Sequence, residues 1–207
     1  MKNQDQQLNS VNNFATLAGA AMAHRFADGR SMDLLSKLFL VVAGSALIGL
    51  SAQIEVPMYP VPVTAQTLMI LLIGMAYGPL LGAATIIAYL LEGAMGLPVF
   101  AGGKAGLAVL VGPTAGYLFG FVAAAFLVGG LALRGFGRSI AGTVLAMVVG
   151  TVVIYACGVA WLQTLIGFET AIAAGVLPFI WGDLLKIAVA ALVMPAAWRA
   201  VQKFQGK

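Results

Sequence analysis

Charge is scarce in this sequence. Only 9% of its 207 residues are Asp, Glu, Lys or Arg, against about 25% in a soluble domain. That shortage excludes a soluble globular protein. Cysteine is nearly absent as well. Cys157 stands alone, so no disulfide closes within the chain and the residue carries no information about redox compartment. The single histidine, His24, excludes a zinc site of the His-Glu-x-x-His kind. No P-loop sequence occurs, since Gly103-Lys104 is followed by Ala105 and has no glycine at the required upstream spacing. ATP hydrolysis by that route is excluded. No Gly-x-Ser-x-Gly elbow is present, and no nucleophile–base pair or metal cluster marks an intramembrane enzyme. No clear inverted repeat is visible either, which counts against a transporter built from two mirrored halves.

What the chain has instead is apolar length. Hydrophobic residues make up 61% of it, with 26 glycines and eight prolines, both commoner in membrane helices than in soluble ones. The runs are continuous, not the roughly ten-residue alternating segments of an outer-membrane barrel. The class is an all-α polytopic membrane protein. Residues 1–30 read as a polar, cytoplasmic N-terminal extension, and 31–207 as one membrane domain. Phe14–His24 has a faint signal-peptide look, but its apolar part is weak and the leader before it is not basic, so cleavage is not expected.

Six spans are expected, at about Leu34–Ile54, Thr67–Tyr77, Leu80–Met95, Tyr117–Leu133, Ile140–Trp161 and Ala173–Ala197. Between the first two, Pro57, Pro60 and Pro62 exclude a regular helix and favour a stiff extended loop. Gly78-Pro79 marks a tight turn. Gly96–Gly116 is apolar yet glycine-rich, and irregular backbone near a membrane is tolerable only when buried in protein or lining a cavity. It is expected to fold inward over a site. Ser45 and Gly49 form a small-x-x-x-small step, a place where another helix, including a partner's, can approach closely.

Net charge is +4, but the basic residues sit at helix ends, so they speak for topology and not for nucleic acid. Lys2, Arg25, Arg30, Lys37, Arg134, Arg138, Arg199, Lys203 and Lys207 fall on the side of the termini, and Lys104 alone on the other. This positive-inside pattern puts both termini in the cytoplasm of a multi-pass protein of the inner (plasma) membrane. The sixth span then enters from outside, with Asp183 about ten residues in.

The sharpest feature is Pro178–Pro195, an apolar run that holds Asp183 and Lys186. A charge at the centre of a membrane helix costs about 2.5–3.5 kcal/mol on insertion scales. Residues at i and i+3 share a helix face, so the two can neighbour each other and should face protein or a cavity. Three uses are open: an ion pair that pins the bundle, a proton relay, or a small-molecule site. A carboxylate accepts hydrogen bonds and an ammonium donates them, so a planar ligand with N–H groups beside a carbonyl would satisfy both. Tyr89 and Glu92, also at i and i+3, are candidates to complete such a site. Phe100, Trp161, Phe179 and Trp181 are available to pack an apolar ligand portion, and Lys104 to attract an anion.

Several blocks carry a resemblance to a known family. Pro60–Leu68 (PVPVTAQTL), the Gly78-Pro79 turn, Tyr89–Gly103 (YLLEGAMGLPVFAGG), Gly112–Phe121 (GPTAGYLFGF) and Gly182–Lys186 (GDLLK) resemble, in order, those of the BioY family. Its members are the biotin-binding substrate-capture subunits (S components) of energy-coupling-factor transporters. The resemblance runs from about Leu34 to Met194. It implies a six-helix S-component fold with biotin held near the outer face. It makes Asp183 and Lys186 the partners of the ureido ring, Pro62 and Thr64 part of a lid, and Tyr89, Glu92 and Phe100 parts of the pocket wall. It also implies a transmembrane coupling subunit and two cytoplasmic ATPases as partners, with no cofactor beyond biotin as the transported ligand. The alternatives are a self-sufficient vitamin transporter, coupled to protons through Asp183 or Glu92, and a structural subunit.

Overall fold

The structure, a computed structural model, describes residues 16–22 and 34–205. Most of the N-terminal extension, including His24, Arg25 and Arg30, therefore lies outside the described residues, as does Lys207. Within that extension one short helix is described, α1 (Leu17–Met22), capped by the Thr16 hydroxyl, which accepts from the Gly19 amide at 3.1 Å.

The longer helices are α2 (Leu34–Ala52), α3 (Gln66–Tyr77), α4 (Pro79–Ala94), α5 (Ala115–Leu133), α6 (Ile140–Ile166) and α8 (Ile180–Gln205), with a short α7 (Phe168–Gly175) before the last. Among the described residues, four apolar segments are long enough to cross a membrane: Leu34–Ala52, Ala115–Leu133, Ile140–Ile166 and Phe168–Phe204. Helices α3 and α4 have 12 and 16 residues, about 18 and 24 Å at 1.5 Å per residue, less than the ~30 Å hydrocarbon core. Leu34, Phe39, Leu50, Phe119 and Leu192 are each more than half exposed. An apolar surface of that extent has no place in water, and in lipid it is the proper exterior.

Small residues set the packing. Helices α5 and α6 run antiparallel, with Gly116 against Trp161 and Cys157, Gly120 against Ile154, and Gly150 against Val128 and Leu71. A side chain at Gly74 would meet the Ala125 backbone, so α3 and α5 approach almost backbone to backbone, as membrane helices do without a hydrophobic driving force between them. The α3–α4 turn needs Gly78, whose φ of +83° is left-handed territory, and Pro79 opens α4 where a missing N–H costs nothing. The Ser45–Gly49 step is used within the chain: Ser45 is buried against Glu92, and Gly49 lies beside Val99. It is not free to receive a partner helix.

Two stretches differ from the sequence expectation. The 55–66 loop is a small antiparallel hairpin, β1 (Glu55–Val56) paired with β2 (Val63–Thr64), with the prolines in its tip. The sixth long helix begins at Ile180, not Ala173, because Val176 leaves helical geometry and Pro178 sits in a single 3-10 turn. Asp183 consequently lies in the first turn of α8 and not ten residues into it. Between the expected fifth and sixth spans, the stretch around Glu169 forms the short helix α7.

Three connections gather at one end of the bundle: the hairpin, the 95–114 segment with its two 3-10 turns (Ala101–Gly103 and Leu107–Val111), and the α7–α8 junction. Short α3 starts beneath them, and the space above its first turn is the cavity described next.

Candidate functional site

The cavity takes its walls from four sources. The hairpin gives Val61, Pro62 and Thr64; the start of α3 gives Gln66 and Thr67; the 100–109 segment gives Phe100 and Lys104; and helices α5, α6 and α8 close it with Tyr117, Phe121, Ile154, Tyr155, Asp183 and Lys186. It encloses about 700 Å³ of space free of protein atoms, its mouth included. Small-molecule sites are mostly apolar with a few placed polar groups. This one has that composition.

Its polar groups converge on one spot. Asp183 is only 6% exposed. Its Oδ1 accepts from Lys186 Nζ at 3.0 Å, and its Oδ2 accepts from the Tyr155 hydroxyl. Lys186 Nζ also donates to Thr67 Oγ1 at 2.9 Å. The cluster therefore joins α3, α6 and α8. A carboxylate in the first turn of α8 is further favoured by the positive end of the helix dipole. An ammonium has three donors and a carboxylate about four acceptor sites, so the cluster is internally paired yet keeps capacity for a ligand.

Of the residues singled out from the sequence, Pro62, Thr64, Phe100, Asp183 and Lys186 line this one cavity. Lys104, exposed at the mouth, and Phe179 line it too. Tyr89 and Glu92 do not. Tyr89 is fully buried behind the wall. Its hydroxyl accepts from Gln66 Nε2 at 2.7 Å and donates to the Val99 carbonyl at 3.1 Å, and its ring meets Phe100 edge-on at 5.6 Å. Tyr89 thus holds two wall residues without touching the space. Glu92, half-buried, accepts from Ser45 Oγ at 2.8 Å on the α2 side. Trp161 donates to the Gly112 carbonyl at 3.0 Å, and Trp181 is 81% exposed; neither lines the cavity.

Phe100 reaches its place because α4 has no side chain at residue 93. A Cβ there would lie 2.2 Å from the ring. Tyr117 rests in the same way on Gly158, and its hydroxyl donates to the Gly175 carbonyl at 2.8 Å, which ties α7 to α5. Sequence reasoning missed Tyr155 and Thr67. Neither had a distinguishing signal: Tyr155 offered only a hydroxyl within an apolar run, which membrane helices commonly carry, and Thr67 only its place beside Gln66. Among the described residues no group of three or more His, Cys, Asp or Glu side chains could hold a metal ion.

Fold and cavity together define a polytopic helical membrane protein with a mostly apolar cavity that carries the Asp183–Lys186 pair in its wall. Comparison with known proteins narrows the class. A model of the BioY family matches residues 16–203. Over 157 residues the chain is 45% identical to the biotin transporter BioY of Thermotoga maritima, covering 74% of this chain and 92% of that protein. It is 42% identical over 156 residues to the probable biotin transporter BioY of Pyrococcus horikoshii, covering 74% and 91%. Among solved structures it resembles the S-component for biotin from an ECF-type ABC transporter, determined at 2.1 Å. The TM-score is 0.72 at 25% sequence identity, over 83% of this chain and 95% of that one. The chain belongs to the BioY family. Its relatives are named as transporters and not as enzymes.

Proposed function

We propose that this protein captures biotin from outside the cell, as the S component of an energy-coupling-factor transporter. The observation that carries the reading is the Asp183–Lys186 pair, Asp183 buried and Lys186 half-buried, bonded to Tyr155 and Thr67 in the wall of a mostly apolar cavity. Biotin is built to match. Its ureido ring presents N–H groups beside a carbonyl, and its thioether ring and side chain are apolar. In this reading Asp183 accepts from a ring N–H, Lys186 donates to the ring carbonyl, and Phe100 and Phe179 pack the apolar portion. Pro62 and Thr64 cover it, and Lys104 at the mouth meets the carboxylate. Tyr89 acts from behind, through Gln66 and Phe100. Glu92 stands apart and braces α4 against α2.

The same reading gives the protein six membrane crossings in the inner membrane, with α3 and α4 completing the four longer segments and both termini cytoplasmic. The nine-to-one distribution of basic residues supports that orientation. The sequence carries no P-loop, so the energy for import comes from partners: a transmembrane coupling subunit and two cytoplasmic ATPases. The likeness to an ECF-type S-component supports that assignment.

The test is biotin uptake in cells without a biotin transporter of their own. Expressed with a coupling subunit and ATPases, the protein should accumulate biotin, and Asp183→Ala should not. Expressed alone it should bind biotin at the surface without concentrating it. Accumulation by the protein alone that collapses with the proton gradient would instead establish a self-sufficient, proton-coupled transporter.

A further inference from the structure

Two separate pieces of chain cover the cavity: the hairpin, through Val61, Pro62 and Thr64, and the 100–104 turn, through Phe100 and Lys104. They are distant in sequence, yet each leg of the hairpin grips the turn. On the first leg stands Gln53, just past the end of α2. Its Nε2 donates to the Phe100 carbonyl at 3.1 Å and to the Gly49 carbonyl at 3.2 Å, and its Oε1 accepts from the Gly103 amide at 3.0 Å. One side-chain amide thus clasps both sides of a turn that closes on itself, the Phe100 amide donating to the Lys104 carbonyl at 3.1 Å. Gly102 and Gly103, at φ +68° and +67°, give the turn a left-handed backbone that side chains resist. On the second leg, Thr64 Oγ1 accepts from the Gln66 amide at 3.2 Å, and Gln66 is joined through Tyr89 to the Val99 carbonyl.

The second connection is buried and runs through the wall. The first lies at the surface, where Gln53 is exposed. A side-chain amide hydrogen-bonded to backbone at the surface is the easier of the two to break, since water can replace each bond. No charge is involved, and Gln53 does not line the cavity.

We infer that Gln53 is a positioning residue that fastens the hairpin to the Phe100–Lys104 turn, so that the two covers open and close as one and together set how long a ligand stays in the cavity. The inference rests on the reading of this cavity as the biotin site. Its consequence is kinetic. Loss of the clasp, which the ligand-free protein already makes, destabilises the closed state and leaves the open, receiving state as it was.

The test compares the full-length protein with Gln53→Leu in detergent. Leucine keeps the bulk and removes both the donor and the acceptor. Release of bound biotin after a chase should be about tenfold faster in the variant, the scale of one or two surface hydrogen bonds, with association faster as well, because the ligand-free protein opens more readily. The unfolding midpoint of the ligand-free protein should stay where it was, which separates a clasp from general destabilisation. Hydrogen exchange in the ligand-free protein should quicken in both segments 54–65 and 99–106. Gln53→Glu, which keeps the acceptor for Gly103 and loses the donor to Phe100, should fall between parent and leucine variant. Unchanged release by a parent that binds biotin would overturn the inference, as would faster exchange in only one of the two segments. If the parent binds no biotin, the ligand assignment fails by itself. Exchange in the ligand-free proteins then decides the clasp: coupled quickening upholds it and unchanged exchange rejects it.

Discussion

Asp183 and Glu92 each set a carboxylate into an apolar helix, and their surroundings could hardly differ more. Asp183 stands in the first turn of α8, 6% exposed, with Lys186 and Tyr155 as partners and Thr67 one bond further on. Three helices meet there at the wall of a cavity. Glu92 stands near the end of α4, half-buried, with the Ser45 hydroxyl as its partner, and does not line that cavity. Both were candidates for one site because both are costly to place among apolar residues. On the proposed reading, the difference teaches that a buried charge serves as a binding group when partners from several elements hold it against open space. Where one neighbouring helix satisfies it, the same charge is a brace.

Four substitutions probe that contrast. Lys186→Met should do the most harm, because it leaves Asp183 buried with the Tyr155 hydroxyl alone; breaking a buried pair costs about 3–5 kcal/mol, and biotin affinity should fall at least 100-fold on the scale of about 1.4 kcal/mol per decade. Tyr155→Phe keeps the ring and removes the donor to Asp183. A hydrogen bond to a charged group contributes about 1.5–3 kcal/mol, so titration calorimetry should record a loss of some tens of fold. Gly93→Ala should come next. Its methyl collides with Phe100, and overpacking costs about 1–3 kcal/mol, to be read as a lower unfolding midpoint together with about tenfold weaker binding. Glu92→Gln should be the mildest, since the amide oxygen still accepts from Ser45, and affinity should stay within about threefold of the parent. A large loss in that variant would return Glu92 to the site and erase the contrast.

Much of this was legible in the sequence for reasons that are physical. Asp183 and Lys186 stood out because charge is rare in the apolar run around them, and i,i+3 spacing already put them on one face. Phe100 and Lys104 belonged to a glycine-rich stretch that could not stay irregular near a membrane without lining something. The prolines of residues 57–62 announced extended backbone, and a hairpin is there. Tyr155 and Thr67 were not legible, because hydroxyls are ordinary in membrane helices and only the crossing of α3, α6 and α8 gives these two a carboxylate and an ammonium to meet. The start of α8 was misjudged because apolar content runs unbroken from Phe168 onward, and hydropathy does not register the break at Val176–Pro178. Tyr89 carried the family motif, but its two bonds, to Gln66 and Val99, turn it away from the space it was expected to line.

The short α1 adds a point that composition could not foresee. Ala20 is fully buried, and α1 packs against α3 and α8, the two helices that Lys186 and Thr67 join near the opposite end. The family match also begins at residue 16, so it takes in α1.

The measurement that tests the central claim most directly is equilibrium binding of labelled biotin to the purified protein in detergent, beside Asp183→Ala. The account predicts saturable binding by the parent at one site per chain. It predicts a loss of at least about 100-fold in the variant, where half-buried Lys186 loses its carboxylate and keeps only Thr67. Equal affinity in the two proteins would contradict it, since biotin would then sit somewhere other than at the Asp183–Lys186 pair.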